Sequence, residues 1–421
     1  MRPLRPGDAK VGCRKPEEAD GNPTGAQDVI DPSRADEVAA DAAAGDALAL
    51  ARALVAVPSV NPLLEEDGAG EEAVARMAAG WLRAWGFEVS LDEVAPGRFN
   101  VLARHGSPGP SLLLNGHLDT VGVAAMTVLP FAATVVGGRL LGRGACDMKG
   151  GVASLLAAAA ALAREGHGGE LVVALTADEE HASVGMQALV EGGFTADAAV
   201  VCEPTSLAVM TAHKGFVWIE AAFQGRAAHG SRPDRGIDAV FHAGLYLAAL
   251  APLGRALREG TPHPLLGHPS FHAGTIRGGS AASVYPERCE IVLERRTLPG
   301  ERTADVEAEF RDALDALAAT TEGLDAELRV TLDRPGTEVP VDAPVVRGLL
   351  EACGAEGIEP RVEGMTAWVD AAFLNEAGIP AVCFGPGDIA LAHGADESAP
   401  VAEIETCARV LEAFARRFLA G

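Results

Sequence analysis

The chain is poor in aromatic side chains, in basic charge and in paired cysteines. Aromatics make up 5% of its 421 residues, so the cores implied by a 48% hydrophobic fraction must be built mostly of Ala, Leu and Val. A net charge of −25 argues against a nucleic-acid partner, which needs clustered Lys and Arg, and against an anionic membrane surface. The 7 cysteines form no CxxC pair, and an odd number fits the reduced thiols of a cytoplasmic protein better than a disulfide framework. Cys146 reads as a small buried filler. No stretch of about eighteen uncharged apolar residues is present, so no transmembrane helix is expected. The basic start has no apolar stretch after it and does not read as a signal peptide. The motifs HExxH, GxxxxGK[ST] and GxSxG are absent as well.

What is there is a set of acids and histidines following apolar runs. Residues 1–45, rich in Pro, Gly, Asp and Ala without periodicity, read as a disordered tail, with a helix around Asp36–Ala51 as the alternative for its last part. Helical spacing marks Ala47–Val57 and Glu71–Trp85, and an Ala/Leu helix runs over Val152–Arg164. Phe87–Leu91, Phe99–Arg104, Ser111–Leu114, Leu171–Leu175, Ala198–Cys202 and Ala381–Phe384 read as strands. Strands alternating with helices predict an α/β unit, a mostly parallel sheet covered by helices. From His213 the order changes to βαββαβ, with strands Phe216–Phe223, His272–Ile276, Cys289–Arg296 and Ala326–Leu332 around helices Asp238–Leu250 and Ala304–Ala319. That is the ferredoxin-like α+β order. The expected division is a catalytic domain over 46–212 and 334–421, with a lid and dimerisation domain inserted over 213–333.

In open α/β sheets, ligands bind beyond the carboxyl ends of the strands. His117-Leu118-Asp119, Asp147, Glu179-Glu180, Glu203 and His393 all fall there. Each alone has a plainer reading: Asp147 as a helix N-cap, Glu179-Glu180 as a solvated turn, His393 as a loop histidine. Together they suit a divalent-metal site with a spare carboxylate for acid–base work. Asp119 shares a face with His117 in an extended segment and could fix the ring tautomer. Two His and two Glu around a shared Asp would hold two Zn²⁺-like ions about 3.5–4 Å apart, a scheme that hydrolyses an amide. In strand Cys289–Arg296, Ile291, Leu293 and Arg295 should face the helices, leaving Arg296 toward the cleft to hold a carboxylate.

The segments GHLDTV, GRGACDMKGG, TADEE, CEPT and AHGADES, in this order, resemble the M20 family of metallopeptidases and deacylases. The resemblance implies that His117, Asp147 and Glu203 bind one metal and that Asp147, Glu180 and His393 bind the other. Zn²⁺ is the expected ion, with Co²⁺ or Mn²⁺ fitting similar sites. It implies Glu179 as general base on a metal-bridging water, Asp119 as support for His117, and a cis peptide at Asp147–Met148. The stretch Ala228–Pro233 is similar to the family segment whose histidine reaches across a homodimer, so His229 is expected to stabilise the oxyanion in a neighbouring subunit. Arg277 and Arg296 resemble the substrate-carboxylate region. Ser283 stands where many members have Asn.

ERRTLPGE and MTAWVDAAFL resemble the acetylornithine deacetylase-like members, implying an N-acyl amino acid as substrate. A carboxypeptidase or dipeptidase acting on a short peptide is the alternative enzyme, and a silent metal-binding scaffold the non-enzymatic one.

Overall fold

The computed structural model describes residues 35–421. Of the tail expected over 1–45, residues 1–34 lie outside the described residues. Residues 35–44 of it are a helix, Ala35–Ala44, followed directly by Ala47–Ala56, whose N-cap Asp46 accepts the Ala49 N–H at 2.8 Å. Tertiary packing overrides the loop-like composition there, since Ala42 is wholly buried.

A nine-stranded sheet organises the first unit. Its centre runs Glu170–Thr176, Ser111–His117, Ala198–Val201, Ala381–Cys383, and these neighbours are parallel. Both ends are antiparallel apart from Val362–Met365, which joins Val209–His213 in parallel. Glu88–Ala95 and Arg98–Gly106 extend one side, and Val209–His213 with Thr337–Glu338 the other. The sheet is therefore mixed, parallel where the acid-bearing strands lie. Its central strands are mostly apolar, as burial on both faces requires, and buried Asn115 donates to the Ala174 carbonyl.

Helix Lys149–Glu165 is buried from Lys149 to Leu162. Its run of alanines follows from that, because small side chains are needed on every side of a helix so enclosed. Gly151 has a specific reason: a Cβ there would sit 2.0 Å from the Cys202 carbonyl oxygen. Close helix–sheet approach at this point sets Asp147 and Glu203 side by side.

The second sheet is antiparallel, in the order Ser270–Gly278, Arg288–Thr297, Gly215–Gln224, Asp325–Arg334. The fourth strand lies beside the first, the ferredoxin-like arrangement. Ile219, Phe223, Ile291 and Leu293 face its helices and form a separate core with Tyr246 and Phe310. By length and composition Ala239–Glu259 could cross a membrane, where no such helix was expected. Here it is two helices, Ala239–Ala249 and Ala251–Glu259, and Ala239, Ala243, Tyr246 and Leu250 pack into that core. The chain passes between the sheets at Lys214 and again after Arg334. Both crossings adjoin the pairing Thr337↔His213.

A small third sheet was not foreseen. Thr134–Val136 and Arg139–Leu141 form a hairpin closed by Gly137-Gly138, both at positive φ, and Ser398–Pro400 pairs with it. This pairing returns the AHGADES segment to the GRGACD segment.

Candidate active site

The parallel register aligns the strand ends. His117 lies level with Thr176, so the turn bearing Glu179 and Glu180 starts beside His117, and Glu203 follows the next strand over. His393 arrives from a loop, at φ 61°, a left-handed conformation that histidine adopts only rarely.

Asp147 is the meeting point. Its Oδ1 lies 3.0 Å from His117 Nε2 and its Oδ2 3.3 Å from His393 Nε2. His393 Nε2 is also 3.0 Å from Glu180 Oε2. The other nitrogen of His117, Nδ1, donates to the Asp119 carbonyl oxygen at 3.0 Å, with the Asp119 carboxylate farther off at 3.6 Å. A carbonyl can only accept, so it fixes a proton on Nδ1 and leaves Nε2 as the ring atom that faces Asp147. The expected support of His117 by Asp119 is thus met chiefly through the backbone. The peptide bond Asp147–Met148 is cis.

The Asp119 carboxylate serves the opposite wall. It accepts the backbone N–H of Glu179 at 3.0 Å and of Glu180 at 3.2 Å, and the Asn61 side-chain amide at 2.8 Å. Asn61 also donates to Asp178 Oδ1 at 2.9 Å. Arg98 joins Asp178 at 2.9 Å and pairs with buried Glu71. Asp178 itself stands at φ 68°, so this buried net holds the turn that aims the two glutamates. On the other side, Glu397 accepts the N–H groups of Cys146 (2.9 Å) and Asp147 (3.1 Å) and pairs with Arg143.

The acids are too crowded and too buried all to be charged without cations. Burial, reinforced by neighbouring carboxylates, pushes Glu179 and Glu203 well above the ordinary range and Glu180 up to about 7. Hydrogen bonds to Asp147 and Glu180 raise His393 to about 10. Burial opposes a charge on His117, but Asp119 and Asp147 outweigh it and hold that ring well above its ordinary value. For Asp147 burial is likewise outweighed, by His117 and His393, and its carboxyl is lowered. Glu203 Oε1 is buried without a hydrogen-bond partner. His117 Nε2 turned toward Asp147, where a cation would replace its proton, a buried orphan oxygen on Glu203, and donor atoms of His117, Asp147 and Glu180 within 4.8 Å of one another fit a divalent metal.

A cavity of about 450 Å³ opens over these groups, between the two sheets. The second sheet contributes Phe216, Trp218, Arg296, Leu332 and Arg334, and the loop ahead of helix Ala371–Glu376 contributes Trp368 and Val369. Arg296 is therefore at the cleft, as expected, while Arg295 is buried against Glu301 and Glu309. The other substrate-region expectations fall elsewhere. Arg277 lines a neighbouring groove that shares only Trp218 with the cavity. Ser283 and His229 sit on two exposed, bridged loops off the cavity, with His229 Nδ1 2.8 Å from the Ser231 hydroxyl.

Sequence reading missed Asp370, which is buried, raised to about 7 by burial, and close enough to influence Glu179 and Glu203. An acid ahead of the helical stretch AAFL reads as a cap. Asn61, Glu71 and Arg98 lie far from the motifs in sequence and carried no local signal, whereas Glu397 lies inside AHGADES, four residues after His393, and was passed over there.

The family model for peptidase family M20/M25/M40 matches residues 113–417. The chain belongs to this family. It is 35% identical over 353 residues to an acetylornithine deacetylase from Myxococcus xanthus, covering 81% of this chain and 90% of that protein. The fold is similar to a tripeptidase from Staphylococcus aureus, with a TM-score of 0.74, 21% identity, and 89% of this chain and 98% of the other covered. It is also similar to a Bacillus subtilis protein described as a dinuclear metal binding peptidase of the M20 family. There the TM-score is 0.70 and the identity 19%, over 90% of this chain and 99% of that one. This M20 member is a hydrolase with a candidate metal site at its strand ends.

Proposed function

We propose that this M20 protein is a di-metal amidohydrolase that releases an amino acid from an N-acyl amino acid, as acetylornithine deacetylases do. The observation that carries this reading is Asp147, whose two carboxylate oxygens face His117 on one side and His393 on the other. His117, Asp147 and Glu203 would hold one ion, and Asp147, Glu180 and His393 the other, Zn²⁺ first among the candidates. When bound, such ions acidify water toward neutral pH and polarise the scissile carbonyl.

The chain's own groups do the rest. Glu179, fixed at its backbone by Asp119, takes the proton of the attacking water and delivers it to the leaving amine nitrogen. The raised proton affinity of its buried carboxyl suits that exchange. Arg296, on the cavity wall, would hold the substrate carboxylate.

The protein would act as a homodimer through the second sheet. In support, strand Ser270–Gly278 is an open edge carrying Ile276, 53% exposed, and Val240, 37% exposed, lies against its Gly278. His229 would then complete the partner's site.

The test is amine release by metal-stripped protein reloaded with Zn²⁺ or Co²⁺, over N-acetyl and N-succinyl amino acids beside dipeptides. Metal-dependent cleavage of the acyl compounds is expected. Cleavage of dipeptides alone would move the reading to a peptidase, and silence with metal bound would remove it.

A further inference from the structure

The strand register places three residues of the second sheet in one row. Arg296 pairs with Phe216, and Phe216 with Arg334 on its other side. Directly opposed residues point to the same face, and all three line the cavity. Two strand spacings put the arginine Cα atoms about 10 Å apart. The roof over the metal-ligand candidates is therefore Arg–Phe–Arg.

The two arginines are held differently. Arg296 lies 5.5 Å over the Phe216 ring, 3.6 Å from Glu294, and donates to the Thr366 carbonyl at 2.6 Å. Arg334 rests over Trp368 at 5.6 Å and Phe373 at 5.2 Å. Its donors reach only the carbonyls of Asp333 (3.1 Å) and Ala182 (3.3 Å), and among the described residues no carboxylate lies within ion-pair distance of it. Asp370 and Glu376 feel its charge without reaching it. A half-buried guanidinium with neutral partners and unused N–H donors leaves one end of the cavity positive.

We infer that Arg334 sets the choice of substrate, holding a carboxylate on the side chain of the N-acyl amino acid while Arg296 holds the α-carboxylate. The inference rests on the amidohydrolase reading, keeps its reaction, and departs from a cationic, ornithine-like side chain. A guanidinium receives a carboxylate through two parallel hydrogen bonds and repels an ammonium. The aromatic faces of Phe216 and Trp368 suit the methylenes between the two charges.

The experiment measures kcat/KM of Zn²⁺-loaded protein on N-acetylglutamate, N-acetylglutamine and N-acetylornithine, for wild type, Arg334→Gln and Arg334→Lys. Wild type should rank them in that order. Arg334→Gln should lose about ten- to hundredfold more on the glutamate compound than on the glutamine one, the scale of a charge-assisted hydrogen bond. Arg334→Lys should restore part of the difference. An equal loss on all three would make Arg334 a hinge-positioning residue and overturn the inference. So would a wild-type preference for N-acetylornithine, which leaves the amidohydrolase reading standing. If no acyl compound is cleaved, that reading fails instead. Calorimetric binding then decides: tighter binding of N-acetylglutamate than of N-acetylornithine, lost in Arg334→Gln, supports the role, and equal binding ends it.

Discussion

Asp119 binds Glu179 through its backbone: the Asp119 carboxylate accepts the Glu179 N–H at 3.0 Å, while the Asp119 carbonyl oxygen takes the proton of His117. One residue thus orients a metal-ligand candidate and the candidate base together. Asp119→Asn should disturb the Glu179 turn, because an amide turns one acceptor oxygen into a donor facing N–H groups and Asn61, while the backbone carbonyl that holds His117 stays. A loss of about 10–100-fold in metal affinity or activity is expected. Metal titration beside turnover checks it, and unchanged values of both would refute the role of the carboxylate.

Glu179→Ala removes the proton carrier and none of the proposed ligands. It should keep its metal and lose on the order of 10²–10⁴-fold in kcat. Metal content by elemental analysis, read against turnover, separates this from collapse of the site. Near-normal turnover would be incompatible with the assigned role.

Removal of metal should make stability fall with rising pH. Glu180 stands near 7 in the folded chain against an ordinary 4.5, and His393 near 10 against 6.5. Both are raised, so the stability they contribute is complete below the ordinary values. It is lost as pH climbs through about 7 for Glu180 and about 10 for His393. Bound cations replace those protons, so the rise in Tm on adding Zn²⁺ should grow between pH 6 and 9. Thermal melts of chelated and reloaded protein provide the check, and a pH-independent increment would contradict it.

Arg98 ties buried Glu71 and Asp178 together beneath the Glu179 turn. Arg98→Met leaves two carboxylates without their partner and should cost about 3–5 kcal/mol. Denaturant unfolding measures this. A loss under about 1 kcal/mol would mean that the pair is solvated.

His229 lies off the cavity of its own chain. If it acts across a dimer, His229→Ala and Glu179→Ala proteins, each depressed by 10²-fold or more, should regain activity when unfolded and refolded as a mixture. The mixed dimer has one site with both residues intact. Light scattering establishes the dimer, and absence of regain would exclude service in trans.

The sequence by itself determined most strands and helices of the two larger sheets, and the ligand candidates. Apolar runs ending in His117, Glu179-Glu180 and Glu203 can only be buried strands whose polar ends meet at one sheet edge, since carboxylates are not left inside a core unpaired. The second sheet was legible from its element order, and Arg296 from alternation along its strand. None of this depends on distant contacts.

Tertiary structure decided what supports those residues and what faces them. Asn61, Arg98 and Glu397 reach the site from 58, 80 and 250 positions away, counted to Asp119, Asp178 and Asp147 respectively, and no local spacing carries such pairings. The mixed sheet, the lodging of Asp370 and the placement of Arg277 outside the cavity depend on register between strands far apart in sequence. The Arg296–Phe216–Arg334 row arises in the same way. A one-residue slip in register would turn every one of these side chains to the other face. Alternation along a strand gives its two faces, and only the packed neighbours determine which face meets the substrate.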